Sequence, residues 1–118
     1  MTKGYYSNLE DRTTQFAIQI MRLSRRCKSD SFREIVLKQL IRSSGSIGAN
    51  YREANEGFTK KEFIYRLKIS RKEIKESLHW LVVLKDDAPQ FVLEIEAQIA
   101  EAKELLYIFT SIISKIKM

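Results

Sequence analysis

Apolar residues recur along this chain at intervals of three and four, and the strict alternation of a half-buried strand is scarce. That period predicts helix throughout, in four segments at about residues 9–27, 32–56, 60–85 and 89–117. In the first segment Phe16, Ile20, Leu23 and Cys27 share a face, and Arg25, Arg26 and Lys28 close it with cations suited to the negative end of the helix dipole. Ser31 with Glu34 three residues on reads as a capping box that opens the second segment, and Thr59 with Glu62 as one that opens the third. The second segment places Val36, Leu40, Ser43 or Ser44, Ile47, Tyr51 and Ala54 at core spacing, and Gly57 falls just past its end. In the third, turning about 100° per residue from Phe63 brings Leu67, Ser70, Ile74, Ser77, Leu78, Leu81 and Leu84 into one stripe.

Asp86-Asp87-Ala88-Pro89 reads as a turn and helix start, acidic at the positive end of the dipole with proline in the first turn. The fourth segment then runs Ile95, Ile99, Ala102, Leu106, Phe109, Ile113 and Ile116, steps of four and three that form a coiled-coil-like seam. A second row, Phe91, Leu105 and Ile112, widens its apolar surface, which suits a helix facing one neighbour inside the bundle and another between subunits. Between Ser43 and Ala49 the chain is unusually small-sided. Two glycines there, Gly45 and Gly48, imply either a break or a neighbouring helix so close that a Cβ would clash, and close packing at both is the expectation. Four amphipathic helices with short connections in 118 residues specify an all-α, antiparallel up-and-down four-helix bundle, one domain over residues 1–118.

Composition narrows the function classes. With 44% hydrophobic residues, 4 Gly, 1 Pro and 1 Cys, the chain is neither disordered, collagen-like nor a disulfide scaffold. A single Cys and a single His cannot build a structural zinc site, and no glycine-rich phosphate loop is present, so no catalytic residue, metal or cofactor is assigned. No run reaches the roughly 18 apolar residues of a membrane span, and the first residues lack an apolar signal core, so a cytoplasmic protein is expected. Cys27 at a helix end fits a reducing compartment as an inert thiol. The net charge of +6 is uneven: +3 over residues 1–32, +5 over 33–76 and −2 over 77–118. A polyanion is therefore a plausible partner for the middle of the chain.

Three groups of residues stand out against the core stripes. Lys61, Lys68, Lys72 and Lys75 line up on the third helix with Tyr65 and His79, flanked by Lys60 and Arg71. Such a row can follow a phosphate backbone while the ring stacks on a base, or it is the solvated face opposite a core. Ile69 and Trp80 lie on an otherwise charged face, where either an adjacent helix or a second subunit would cover them. Glu53, Glu56, Glu73 and Glu76 with Arg42, Arg52 and Asn50 could hold two metals only if further His residues were present. Hydrogen bonds that fix the register of the second helix against the third are the expectation instead.

The run Gln39-Leu40-Ile41-Arg42-Ser43-Ser44-Gly45-Ser46-Ile47-Gly48-Ala49-Asn50-Tyr51-Arg52-Glu53-Ala54 is followed by Lys61-Glu62-Phe63 and by Lys72-Glu73-Ile74-Lys75-Glu76-Ser77-Leu78-His79-Trp80-Leu81. This pattern, over roughly residues 36–84, resembles the four-helix-bundle proteins encoded in 23S rRNA intervening sequences. The recurring positions of that family fall here on Arg42, Ser46, Asn50, Glu53, Lys61, Phe63, Glu73 and Glu76, mostly on faces that must meet one another, which implies a structural role. Many members carry Pro where this chain has Gly48, which places the match in a sub-branch. The resemblance implies a ring-like homo-oligomer, a pentamer. It also implies kinship with the accessory variability determinants of diversity-generating retroelements, basic ring proteins that bind a reverse transcriptase and nucleic acid. The expected function is a non-enzymatic nucleic-acid-binding or ribonucleoprotein accessory protein, with RNA favoured through the resemblance. The alternative is an oligomeric scaffold that binds a protein such as a reverse transcriptase. Neither reading involves a membrane or a small-molecule substrate.

Overall fold

A computed structural model describes residues 8–57 and 59–116. The helices form where the period places them: α1 spans Leu9–Arg26, α2 Ser31–Asn55, α3 Lys60–Asp87 and α4 Val92–Ile116, with a 3₁₀ turn at Pro89–Phe91 ahead of α4. The expected final residue of the fourth helix, 117, lies outside the described residues. No strand occurs among the described residues, so the fold is an all-α helical bundle.

Local chemistry sets the helix ends, not always where the sequence suggests. Thr59 caps α3 as expected, its hydroxyl accepting from the Glu62 amide at 3.0 Å. At α2 the cap is Asp30 rather than Ser31; its carboxylate accepts from the Arg33 amide at 3.0 Å, a charged acceptor that outcompetes the neighbouring hydroxyl. Gly57 follows α2, yet no described glycine has a positive φ, so its amide simply reaches the Ala54 carbonyl at 3.0 Å. Asp86 and Asp87 belong to the last turn of α3 instead of opening the fourth helix. A carboxylate there faces the negative end of the dipole, and Arg33 offsets it by donating to the Asp87 carboxylate at 2.7 Å and to the Asp87 carbonyl at 2.9 Å.

The core joins all four helices through Phe16, Ile20, Leu40, Ile47, Leu67, Ile74, Leu81, Ile95 and Phe109. α4 buries Leu105 and Ile108 along with the expected row, while Leu106 and Ile116 are only half-buried. A straight helix drifts by about 20° per heptad from a strict 3.5 repeat, and α4 touches both α3 and α1, so residues of adjacent rows turn inward in succession. Between α2 and α3 the paired residues are Arg33 with Asp87, Ser43 with Ser77, Ile47 with Ser70 and Asn50 with Arg66; numbers rise along one helix as they fall along the other.

α2 passes through its glycines unbroken. Gly48 lies against α1, where a Cβ would stand 2.8 Å from the Thr13 hydroxyl oxygen. Gly45 contradicts the expectation: nothing lies within 4 Å of a Cβ built there. It sits on the exposed side of α2 with Ile41 and Ala49, a turn away in either direction, so no neighbour approaches it. No helix among the described residues is long and apolar enough to cross a membrane.

Candidate nucleic-acid interface

α3 turns two different sides to its surroundings. Towards α2 it carries charges that are matched. Arg42 of α2 donates to Glu73 at 3.4 Å and pairs more closely with Glu76, whose other neighbour, the Trp80 indole N–H, donates to it at 3.0 Å. Arg42 above all, then the indole, holds the Glu76 carboxyl below the ordinary carboxylate range, and Glu76 in turn raises Arg42. Glu73 itself is buried, a position open to a carboxylate only because Arg42 reaches it. Arg66 donates to the Asn50 side-chain oxygen at 3.1 Å, and the Asn50 amide donates to the Ser46 carbonyl at 2.9 Å. Deeper in, the Ser43 and Ser77 hydroxyls lie 2.9 Å apart and Ser70 donates to the Ile47 carbonyl at 2.9 Å.

The expected register network between α2 and α3 thus gathers Arg42, Ser46, Asn50, Glu73 and Glu76, with Phe63 half-buried against the core. Three residues depart from it. Glu53 is exposed, Glu56 is exposed at the C-terminal cap of α2, and Arg52 points to α1, donating to Glu10 at 3.0 Å and to the Thr14 hydroxyl at 3.1 Å. The Arg52 departure has a local cause, because the two carboxylate oxygens of Glu10 accept from Arg52 and, at 2.8 Å, from Asn55, and together these bonds close the end of α2 onto α1. Arg66 shares a face of α3 with Glu73 and Trp80, and its bond to Asn50 has no signal in the sequence. Arg33, which also donates to the Cys27 carbonyl at 2.9 Å, has a main-chain acceptor that leaves no trace in sequence.

Towards solvent and α4, in the first half of α3, Lys61, Lys68 and Arg71 bond to no carboxylate among the described residues, whereas Lys85 near its far end pairs with Glu96 of α4. Lys60, Lys61, Lys68, Lys72 and Lys75 are exposed, as is Tyr65 at 59%. Lys60 and Lys61 occupy the first turn of α3, where the dipole is already positive, and so strengthen the local potential. A groove of 590 Å³ between α3 and α4 has Ile64 and Ile113 at its base, Lys61, Tyr65, Lys68 and Arg71 along α3, and Thr110 and Ser114 along α4. Lys72 stands outside this groove, and Lys75 and His79 line a second one of 470 Å³ with Lys85, Glu96 and Lys103, in which Lys85 is paired to Glu96.

Arg71 is the distinctive member. Among the described residues the other half-buried arginines, Arg12, Arg33 and Arg66, each bond to a carboxylate, carbonyl or amide oxygen; Arg71 has no such partner. Trp80 and Ile69 are half-buried on the α2 side, and the Trp80 ring packs on the core and edge-on to His79 at 4.7 Å. No group of three His, Cys, Asp or Glu residues among the described residues is placed to hold a metal ion.

The family model of the 23S rRNA-intervening sequence protein matches residues 8–111. A crystal structure of a protein of unknown function from the S23 ribosomal protein family of Bacteroides thetaiotaomicron is similar with a TM-score of 0.79 and 31% sequence identity, over 88% of this chain and 96% of that one. No curated protein matches the chain.

Proposed function

Because the chain belongs to the 23S rRNA-intervening sequence protein family, we propose that it is a non-enzymatic RNA-binding or ribonucleoprotein accessory protein whose contact surface is the cationic side of α3. One observation carries the reading: Lys61, Lys68 and the half-buried Arg71 line one groove without a carboxylate partner among the described residues. A cation held close to apolar surface without a counter-charge is unfavourable in the free protein, and a phosphate supplies the missing charge. Tyr65 adds an exposed ring for a base. We further read the bundle as antiparallel, supported by the descending pair numbers across α2 and α3, and as a cytoplasmic homo-oligomer of ring form, which would repeat the cationic row and add avidity. Ile69 and Trp80 remain the proposed subunit contact, from the minor part of each side chain that their own bundle leaves uncovered.

A second reading, an oligomeric scaffold for a nucleic-acid enzyme such as a reverse transcriptase, draws support from Phe32 and Leu93, both 80% exposed at the same end of the bundle. Crosslinking in living cells followed by purification and sequencing separates the two. RNA attached through α3 supports the first reading; a protein partner with no nucleic acid contradicts it.

A further inference from the structure

We propose that the groove between α3 and α4 is a single-strand-selective site, in which one unstacked RNA base enters against Ile64 and Tyr65 while Lys61, Lys68 and Arg71 hold the flanking phosphates. The inference rests on the RNA-binding reading above and adds which form of RNA is bound and how. The groove is open on its outer side, and its 590 Å³ can take one planar base against the floor, whereas a duplex could only lie across its mouth. Its floor is apolar and its α3 wall cationic, a division that matches a nucleotide, whose base is flat and weakly polar and whose phosphate is charged.

The spacing supports the same assignment. Lys61 and Lys68 are seven residues apart, so about 10 Å of helix separates them, with Tyr65 between and Arg71 one turn beyond. A base entering beside Tyr65 therefore has a cation on either side of it along the strand. On the α4 wall Thr110 and Ser114, also one turn apart, offer hydroxyls that both donate and accept, which tolerates any base edge. In a duplex the base faces are stacked away, and the lysines would meet phosphates alone. Single strands should thus gain a stacking contribution that duplexes lack.

The test compares a short single-stranded RNA of mixed sequence with a hairpin of equal phosphate number whose stem is closed by a non-nucleotide linker, so that it offers no unpaired base, by fluorescence anisotropy at fixed salt. Thr110→Trp fills the groove from an exposed position and removes no cation; unchanged melting confirms folding. Binding of the single strand is expected to weaken about tenfold in Thr110→Trp while the hairpin changes less than about twofold. Arg71→Gln should likewise weaken the single strand more than the hairpin. Equal loss for both RNAs, or no loss in Thr110→Trp, overturns the proposal. If Thr110→Trp is silent while substitution of the lysines weakens both RNAs, the RNA-binding reading survives and the groove site does not. Binding of a poly-glutamate peptide that Thr110→Trp abolishes, with RNA binding untouched, assigns the groove to an acidic protein and also overturns it.

Discussion

The seam that α2 makes with its neighbours and the groove between α3 and α4 use the same residue types to opposite ends. Around α2 each inward-reaching arginine ends on an acceptor: Arg33 on Asp87 and Cys27, Arg42 on Glu73 and Glu76, Arg52 on Glu10, Arg66 on Asn50. Along the groove Lys61, Lys68 and Arg71 end on none among the described residues. The difference teaches that positive charge is not one property in this molecule. On the first side it fixes the register of helices, and on the second it has no counter-charge among the described residues, which is the observation the proposed polyanion contact rests on.

Changes on the α2 seam should therefore cost stability and leave RNA binding alone. The largest effect is expected from Arg33→Ala. Its side chain is only 10% exposed, and its removal leaves the part-buried Cys27 carbonyl without its donor and forfeits the side-chain packing, while the 56% exposed Asp87 turns to water, so urea unfolding should show a loss of about 2 kcal/mol. Gly48→Ala comes next. The new methyl would meet Thr13, whose hydroxyl is held by the Leu9 carbonyl at 2.7 Å and cannot swing away, so a loss of about 1–2 kcal/mol is expected in the same assay. Gly45→Ala should do the reverse, gaining up to about 1 kcal/mol, because an open helical position keeps only the intrinsic penalty of glycine.

Those two glycines also mark how far the sequence could be read. The helices were legible because burial imposes its period on each of them, and Thr59 because a hydroxyl before a helix has a local partner. Gly48 shares a face with the buried Ser44 and Tyr51, whereas Gly45 shares one with the exposed Ile41 and Ala49; the same periodicity, applied to each glycine separately, distinguishes them. Asp30 was hidden by Ser31, an equally good capping type one residue later. Of the site, the lysine row and Tyr65 were legible as a line on one helix. The groove was not, since its other wall comes from Thr110 and Ser114 on α4, and the half-burial of Arg71 depends on that helix lying alongside. Arg33 and Arg66 were illegible for a related reason: Asp87 and Asn50 come within reach only once α2 and α3 are packed, and two of the acceptors of Arg33 are main-chain oxygens.

A smaller effect sharpens the contrast by pH. Glu76 is held below the ordinary carboxylate range by Arg42, so their pair contributes where Glu76 is ionised and is lost as the pH falls through the lowered folded value. The melting temperature of the wild type should exceed that of Arg42→Met above about pH 5, and the gap should close on acidification below about pH 4. A gap that stays constant across that range would show that Arg42 acts by packing alone.

The claim that the cations of α3 are reserved for a polyanion is tested most directly by the salt dependence of RNA binding. Lys61, Lys68, Lys72 and Lys75 are exposed, so changing all four to Gln should leave melting unaltered. The log–log slope of affinity against salt for single-stranded RNA should become shallower by about 0.7 for each phosphate contact removed. A slope identical to that of the wild type would contradict the account and move the binding surface away from α3.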